Sequence, residues 1–168
     1  GTMRDALSIA VALEGFHRQC DVLTLANLAQ IVNVLHAPVM TEDDGIWLTP
    51  SYYALQLHTP HLSAAALPVS VSAGQTMPGG ANNASVVSGT ASSKSGSTAV
   101  TVTNRHYDQP ASVRLSVAGT QRVTSARLLA ADSPRAVNSL AQPDAVKAVD
   151  FEVHADGAGQ WRVELPPH

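Results

Sequence analysis

Apolar side chains at Ala6, Ile9, Leu13 and Phe16 follow an i, i+3, i+7, i+10 spacing, which places them on one face of a helix. Thr2 stands ahead of that face and Asp5 follows three residues later, a capping-box-like pair. A helix is therefore predicted over Thr2–Arg18, with Gly15 weakening its last turn. From Val22 to Ala29 the apolar run is nearly continuous instead of alternating. That is the pattern of a strand covered on both faces, as in a parallel sheet. Val39–Leu48 reads as a short excursion that turns at Asp43-Asp44-Gly45. Thr49 then stands as an N-cap with Pro50 at the first helical position, and Pro60 limits the helix that follows. Residues 1–62 thus read helix–strand–helix, an α/β order.

After Leu62 the period changes. Ala64–Ala99 is rich in Ala, Ser, Gly and Thr, and its Met77-Pro78-Gly79-Gly80 and Asn82-Asn83 stretches predict loops between short strands. Thr98–Asn104 and Ala111–Gly119 alternate with period two, and Arg105–Pro110 supplies the turn chemistry between them. Val123–Ala131, Ala148–Val153 and Gln160–Leu165 predict further strands, with a last turn at Asp156-Gly157. Strands at this spacing point to an all-β antiparallel sandwich over residues 63–168. The α/β piece is too small to enclose a core, and a buried parallel strand needs neighbours that this chain does not contain. The expectation is a truncated chain.

Composition narrows the partners. Hydrophobic residues make up 45% of the 168, so a packed core is within reach. A net charge of −3 provides no basic patch, which argues against nucleic acid. No apolar run reaches the roughly 18–20 residues of a membrane span, so no membrane partner is expected. Cys20 is the single cysteine, which excludes an internal disulfide and is compatible with a cytosolic compartment, slightly favoured here; the sequence leaves the compartment undecided.

The segment "NLAQIVNVLHAP" raises a chemical question. It places Asn27, Gln30 and Asn33 among Leu25, Leu28, Ile31, Val32 and Leu35, and burying an amide without partners costs about 1–3 kcal/mol. His58 and His61 form an H-x-x-H pair, but beside Pro60 and with no third ligand evident they read as surface or packing groups, so no metal site is expected. His36 follows the amide-rich segment and reads chiefly as packing. There is no G-x-S-x-G elbow. Asp43-Asp44 reads as a solvated turn without the ligand-rich loop of a calcium site. Met77-Pro78-Gly79-Gly80 lacks the lysine and following helix of a phosphate loop. Tyr52, Tyr53, Trp47 and Trp161 read as packing residues. No cofactor is expected.

Taken together, "GTMRDALSIAVALEGFHRQCDVLTLANLAQIVNVLHAPVMTEDDGIWLTPSYYALQLHTPH" resembles the end of the catalytic barrel in α-L-arabinofuranosidases of glycoside hydrolase family 51, most specifically in "ANLAQIVNVL" and "LTPSYYALQL". "ARLLAADSPRAVNSLAQPDAVKAVDFEV" and the closing "RVELPPH" resemble that family's C-terminal β-sandwich. The resemblance implies a retaining glycosidase with a (β/α)8 barrel, residues 1–62 being the barrel's end and residues 63–168 a sandwich lacking its last strand. The implied substrate is a terminal non-reducing α-L-arabinofuranoside in arabinoxylan, arabinan or their oligosaccharides. The two catalytic glutamates come from earlier barrel strands, and none of Glu14, Glu42, Glu152 and Glu164 matches their motifs, so no catalytic residue is assigned. Val22–Ala29 would be the last barrel strand, and Gln30, just past its end, matches a family glutamine that hydrogen-bonds the arabinose. Asn27 and Asn33 read as groups that satisfy the backbone around the strand end. Two other functions compete with the catalytic one: a non-catalytic sandwich that binds carbohydrate or mediates assembly, and a brace for the barrel with no activity of its own. The apolar faces of residues 1–62 also predict self-association into a homo-oligomer.

Overall fold

Thr2 and Asp5 set the start of the first helix, α1 (Met3–Arg18). The Asp5 amide donates to Thr2 Oγ1 at 3.3 Å, and the Thr2 amide donates to Asp5 Oδ2 at 2.7 Å, completing the capping box. The next free donors of the first turn reach a distant loop, Met3 N–H to Ala136 O and Arg4 N–H to Pro134 O, each at 2.9 Å. In this computed structural model the described residues are 1–28, 30–72, 74, 76, 85–119 and 122–168. The expected Met77-Pro78-Gly79-Gly80 turn and Asn82-Asn83 pair lie outside them.

The strand expected over Val22–Ala29 is not formed among its described residues. Val22–Leu28 is irregular and largely exposed, with Val22 at 75% and Leu25 at 73% of full accessibility. The reason is physical: a central strand exists only when neighbours accept and donate its ladder hydrogen bonds and cover both faces. The expected excursion is a hairpin of β1 (Val39–Glu42) and β2 (Gly45–Leu48), paired antiparallel around Asp43-Asp44, with Asp43 at φ 48°. Thr49 precedes α2 (Pro50–His58) as expected, but its hydroxyl donates to Ala37 O at 2.8 Å instead of capping the helix. A single 3-10 turn, Thr59–His61, closes that helix at Pro60.

The remainder is antiparallel β structure. β3 (Ala65–Leu67), β4 (Val87–Lys94) and β5 (Ser97–Asn104) form one three-stranded sheet. The two-residue turn between β4 and β5 holds Ser95 at φ 50° and Gly96 at φ 78°, the left-handed pair that matches the twist of a tight hairpin. β6 (Ala111–Ser116) pairs with β10 (Gln160–Leu165), which also pairs with β9 (His154–Gly157). β10 alternates strictly, burying Trp161, Val163 and Leu165. The strands expected over Val123–Ala131 and Ala148–Val153 shrink to one short pair, β7 (Arg127–Leu128) with β8 (Val149–Asp150). The last turn falls at Ala158-Gly159, two residues beyond its expected place. The described residues are therefore mostly β-sheet with two short helices.

The core binds the helices to the C-terminal loops. Met3, Ala6, Ala54 and Val146 are buried together, with Leu7, Ile9, Leu129, Ala131 and Ala136 packed around them. The buried stripe of α1 is Met3, Ala6, Ala10 and Glu14, so the expected face holds for Ala6 while Ile9, Leu13 and Phe16 are half-buried. Alanines let α1 approach α2 and β4 closely, and the larger side chains flank that seam. Asn138 fixes the buried loop. Its Nδ2 donates to Leu48 O at 2.7 Å and Val146 O at 2.8 Å, and its Oδ1 accepts from Val146 N–H at 2.7 Å.

Candidate functional site

The amide-rich segment lies between α1 and the β1–β2 hairpin. Asn27 and Gln30 are exposed, and so are Ile31 and Leu35 beside them. Asn33 is exposed but fully engaged. Its Nδ2 donates to Thr41 Oγ1 at 2.8 Å and its Oδ1 accepts from Thr41 N–H at 2.7 Å. Asn33 sits at φ 54°, a left-handed conformation that asparagine tolerates better than most residues. Beside it, Asn33 N–H donates to Val39 O and Val39 N–H to Ile31 O, both at 3.2 Å, so residues 31–33 run parallel to the start of β1. His36, expected to pack, is mostly exposed and pairs with Asp5 at 3.3 Å. Partial burial works to raise Asp5, but the hydrogen bonds from Thr2 and the nearby His36 outweigh it and hold the carboxyl below its usual value.

The glutamates are dispersed. Glu14, on α1, is fully buried and its Oε1 accepts from Thr103 Oγ1 at 2.6 Å. Glu42 ends β1 in solvent, Glu152 lies 3.8 Å from His154, and Glu164 on β10 accepts from Ser112. Three of them stand on separate elements and Glu152 lies between β8 and β9; Glu14, Glu152 and Glu164 each have a partner within the protein.

A polar cluster missed from the sequence occupies the seam between the helices and the first sheet. His17, His58 and His61 come together there, with ring centroids 4.9 Å apart for His17–His61, 5.9 Å for His58–His61 and 6.4 Å for His17–His58. His61 Nδ1 bonds Ser92 Oγ at 2.7 Å and its Nε2 bonds Thr101 Oγ1 at 2.8 Å. His17 Nδ1 meets Thr90 Oγ1 at 3.1 Å, and His58 Nδ1 donates to Ala54 O at 2.8 Å. Burial pushes all three rings below the ordinary histidine range, His61 to about 4, aided by the neighbouring imidazoles for His17 and His61. The packing side of the sequence expectation for His58 and His61 thus holds, since both are buried. Among the described residues no group of three or more His, Cys, Asp or Glu side chains is disposed to hold a metal ion. The available signal for the cluster was Glu14 and His17 continuing the stripe of Met3, Ala6 and Ala10.

A cavity of about 560 Å³ lies beside this seam, lined by His58, His61, Thr101, Thr103, Arg127 and Phe151 among others. Its polar groups are largely committed to bonds within the protein, and Gln30 does not line it. Tyr53 and Trp161 are buried and Tyr52 and Trp47 half-buried, as packing residues are.

The pattern of one protein family, described as alpha-L-arabinofuranosidase C-terminal domain, matches residues 1–168. The chain belongs to that family. An intracellular exo-alpha-L-arabinofuranosidase of Bacteroides ovatus is 30% identical over 167 residues, covering 98% of this chain and 32% of that protein. The crystal structure of the GH51 arabinofuranosidase from Xanthomonas axonopodis pv. citri superposes with a TM-score of 0.91 at 31% identity, covering 99% of this chain and 34% of that one. A family 51 alpha-L-arabinofuranosidase from Bifidobacterium longum, AbfB, shares the fold with a TM-score of 0.88 at 22% identity, over 99% of this chain and 32% of that one. This arabinofuranosidase C-terminal domain therefore spans about a third of the length of the relatives it matches. No helix among its described residues is long and apolar enough to cross a membrane.

Proposed function

We propose that this chain is the C-terminal third of a retaining α-L-arabinofuranosidase that releases terminal arabinofuranose from arabinose-containing polysaccharides and oligosaccharides. Residues 1–62 close its (β/α)8 barrel, with Val22–Ala29 as the last barrel strand once the preceding strands are present. Residues 63–168 form its β-sandwich. The chain contributes Gln30 to the glycone subsite and supplies neither catalytic carboxylate.

One observation carries this reading: Val22, Leu25, Ile31 and Leu35, with the amide Gln30 among them, stand exposed in a chain that matches arabinofuranosidases throughout. Substrates of such barrels bind at the C-terminal ends of the strands, and an amide both donates to and accepts from sugar hydroxyls. A binding module working alone has less support: Trp161 and Tyr53 are buried, and Tyr107 is the one exposed Phe, Trp or Tyr among the described residues, short of a stacking platform.

The 168-residue chain by itself is expected to leave an aryl α-L-arabinofuranoside intact. Retaining hydrolysis needs two carboxyl groups about 5–5.5 Å apart, and the four glutamates lie on α1, β1, the β8–β9 connection and β10. Release of the aryl alcohol above a mock-purified control, abolished by substituting any of the four, would rule out the assignment of catalysis to the missing part.

A further inference from the structure

We propose that Asn33 is a positioning residue for Gln30, pinning the substrate-binding segment to the β1–β2 hairpin. The inference rests on the reading that Gln30 meets the sugar. An exposed glutamine three residues from a rigid point is held far better than one on a free loop, and catalytic contacts lose strength when misplaced by an ångström. Asn33 provides that point. Its amide makes a two-bond clamp on Thr41, donating through Nδ2 and accepting through Oδ1. The backbone bonds between Asn33 and Val39 and between Val39 and Ile31 hold the same stretch, leaving Gln30 as the next residue outward.

The hairpin is itself anchored on its far side. Thr49 N–H donates to Pro38 O at 2.9 Å, Thr49 Oγ1 donates to Ala37 O, and Asn138 Nδ2 donates to Leu48 O. Gly45 lies so close to Leu140 that an added Cβ would clash with its Cδ1. A continuous path of hydrogen bonds and packing therefore runs from the buried loop around Asn138, through the hairpin and Asn33, to the position of Gln30.

The test is a double-substitution cycle in the enzyme that carries this chain, read as kcat/KM on an aryl α-L-arabinofuranoside. Asn33→Gly keeps the left-handed backbone unstrained and removes the clamp. It should lower kcat/KM about five-fold or more, as a misplaced neutral hydrogen bond does. In the Gln30→Ala background the same change should lower it no further, because the clamp acts through Gln30. Asn33→Asp, which can still accept from Thr41 N–H, should restore most of the loss. Thr41→Val, which removes one arm of the clamp and keeps the β-branched strand side chain, should show a smaller loss with the same dependence on Gln30; it serves if Asn33→Gly does not fold. A loss of equal size with and without Gln30, or no loss at all, overturns the positioning role. If Gln30→Ala alone retains full kcat/KM, the substrate contact fails first, and the positioning role with it.

Discussion

Acidification from about pH 7 to about 4.5 is expected to lower the thermal midpoint of this chain by about 5–10 °C. The histidine seam is the cause. His61 is held down to about 4, and His17 and His58 are also depressed, chiefly because burial penalises the charged ring. The hydrogen bonds of His61 do not themselves forbid protonation, since Ser92 and Thr101 hydroxyls can turn and accept from an imidazolium. Desolvation and the two neighbouring imidazoles do. Glu14, the carboxylate of the cluster, works the other way on His17 and His58 and is outweighed. From the sheet, Thr90, Ser92 and Thr101 face these rings. A histidine depressed in the folded state binds more protons when unfolded, so stability rises with pH. Its contribution is fully present above about 6.5, falls as the pH drops, and is gone by the folded value near 4. The drop from 6.5 to about 4 for His61 corresponds to roughly 3 kcal/mol at about 1.36 kcal/mol per unit, and about 1 kcal/mol moves the midpoint by some 2–4 °C at this size. Asp5 and Asp156 are depressed carboxyls, so their contributions are lost only at lower pH and do not blur the window. Scanning calorimetry across this range on the chain and on a His17→Gln, His58→Gln, His61→Gln variant checks the claim. The parent should slope and the variant should be flat between about 4.5 and 6.5; a parent midpoint constant over that range removes the seam from the account.

The second large effect concerns association. Val22, Leu25, Ile31, Leu35 and Ile46 are each at least 66% exposed. Exposed apolar side chains of this size drive proteins together when they share a surface. Sedimentation of the isolated chain should show dimers or larger species whose share grows with concentration, together with strong binding of a hydrophobic dye. Leu25→Lys with Leu35→Lys should shift it toward monomer. A parent chain that stays monomeric and dye-negative at every concentration contradicts the expectation.

Local chemistry made several elements legible from sequence. The Thr2–Asp5 capping box starts α1, Pro50 starts α2, Asp43-Asp44 turns the first hairpin, and the alternation of Gln160–Leu165 gives β10 with its buried Trp161. What stayed hidden depends on contacts distant in sequence. The run Val22–Ala29 has the composition of a buried strand, yet no strand forms among its described residues because strand structure resides in pairing. β4 was obscured by its Ser, Gly and Thr content; it is ordered by pairing along its whole length with β5. Glu14 is buried on α1, where it accepts from Thr103, 89 residues away in sequence and so out of reach of a local reading. The three amides of residues 27–33 divide by environment. Asn33 has its partners in Thr41, as a backbone-satisfying role requires, whereas Asn27 and Gln30 face solvent.

The proposed function turns on Gln30, which is exposed. On the proposed reading, Gln30→Ala in the enzyme that carries this chain deletes an amide able both to donate to and to accept from a sugar hydroxyl. A neutral hydrogen bond contributes about 0.5–1.5 kcal/mol net, and more when its loss leaves a partner unsatisfied; about 1.4 kcal/mol is one decade in rate. Loss in kcat marks a contact that strengthens in the transition state, and loss through KM marks uniform binding. The decisive measurement is kcat/KM of Gln30→Ala on an aryl α-L-arabinofuranoside, taken with its melting temperature. A fall of about ten-fold or more with an unchanged melting temperature is the predicted result; unchanged kcat/KM, or a loss explained by early melting, contradicts it.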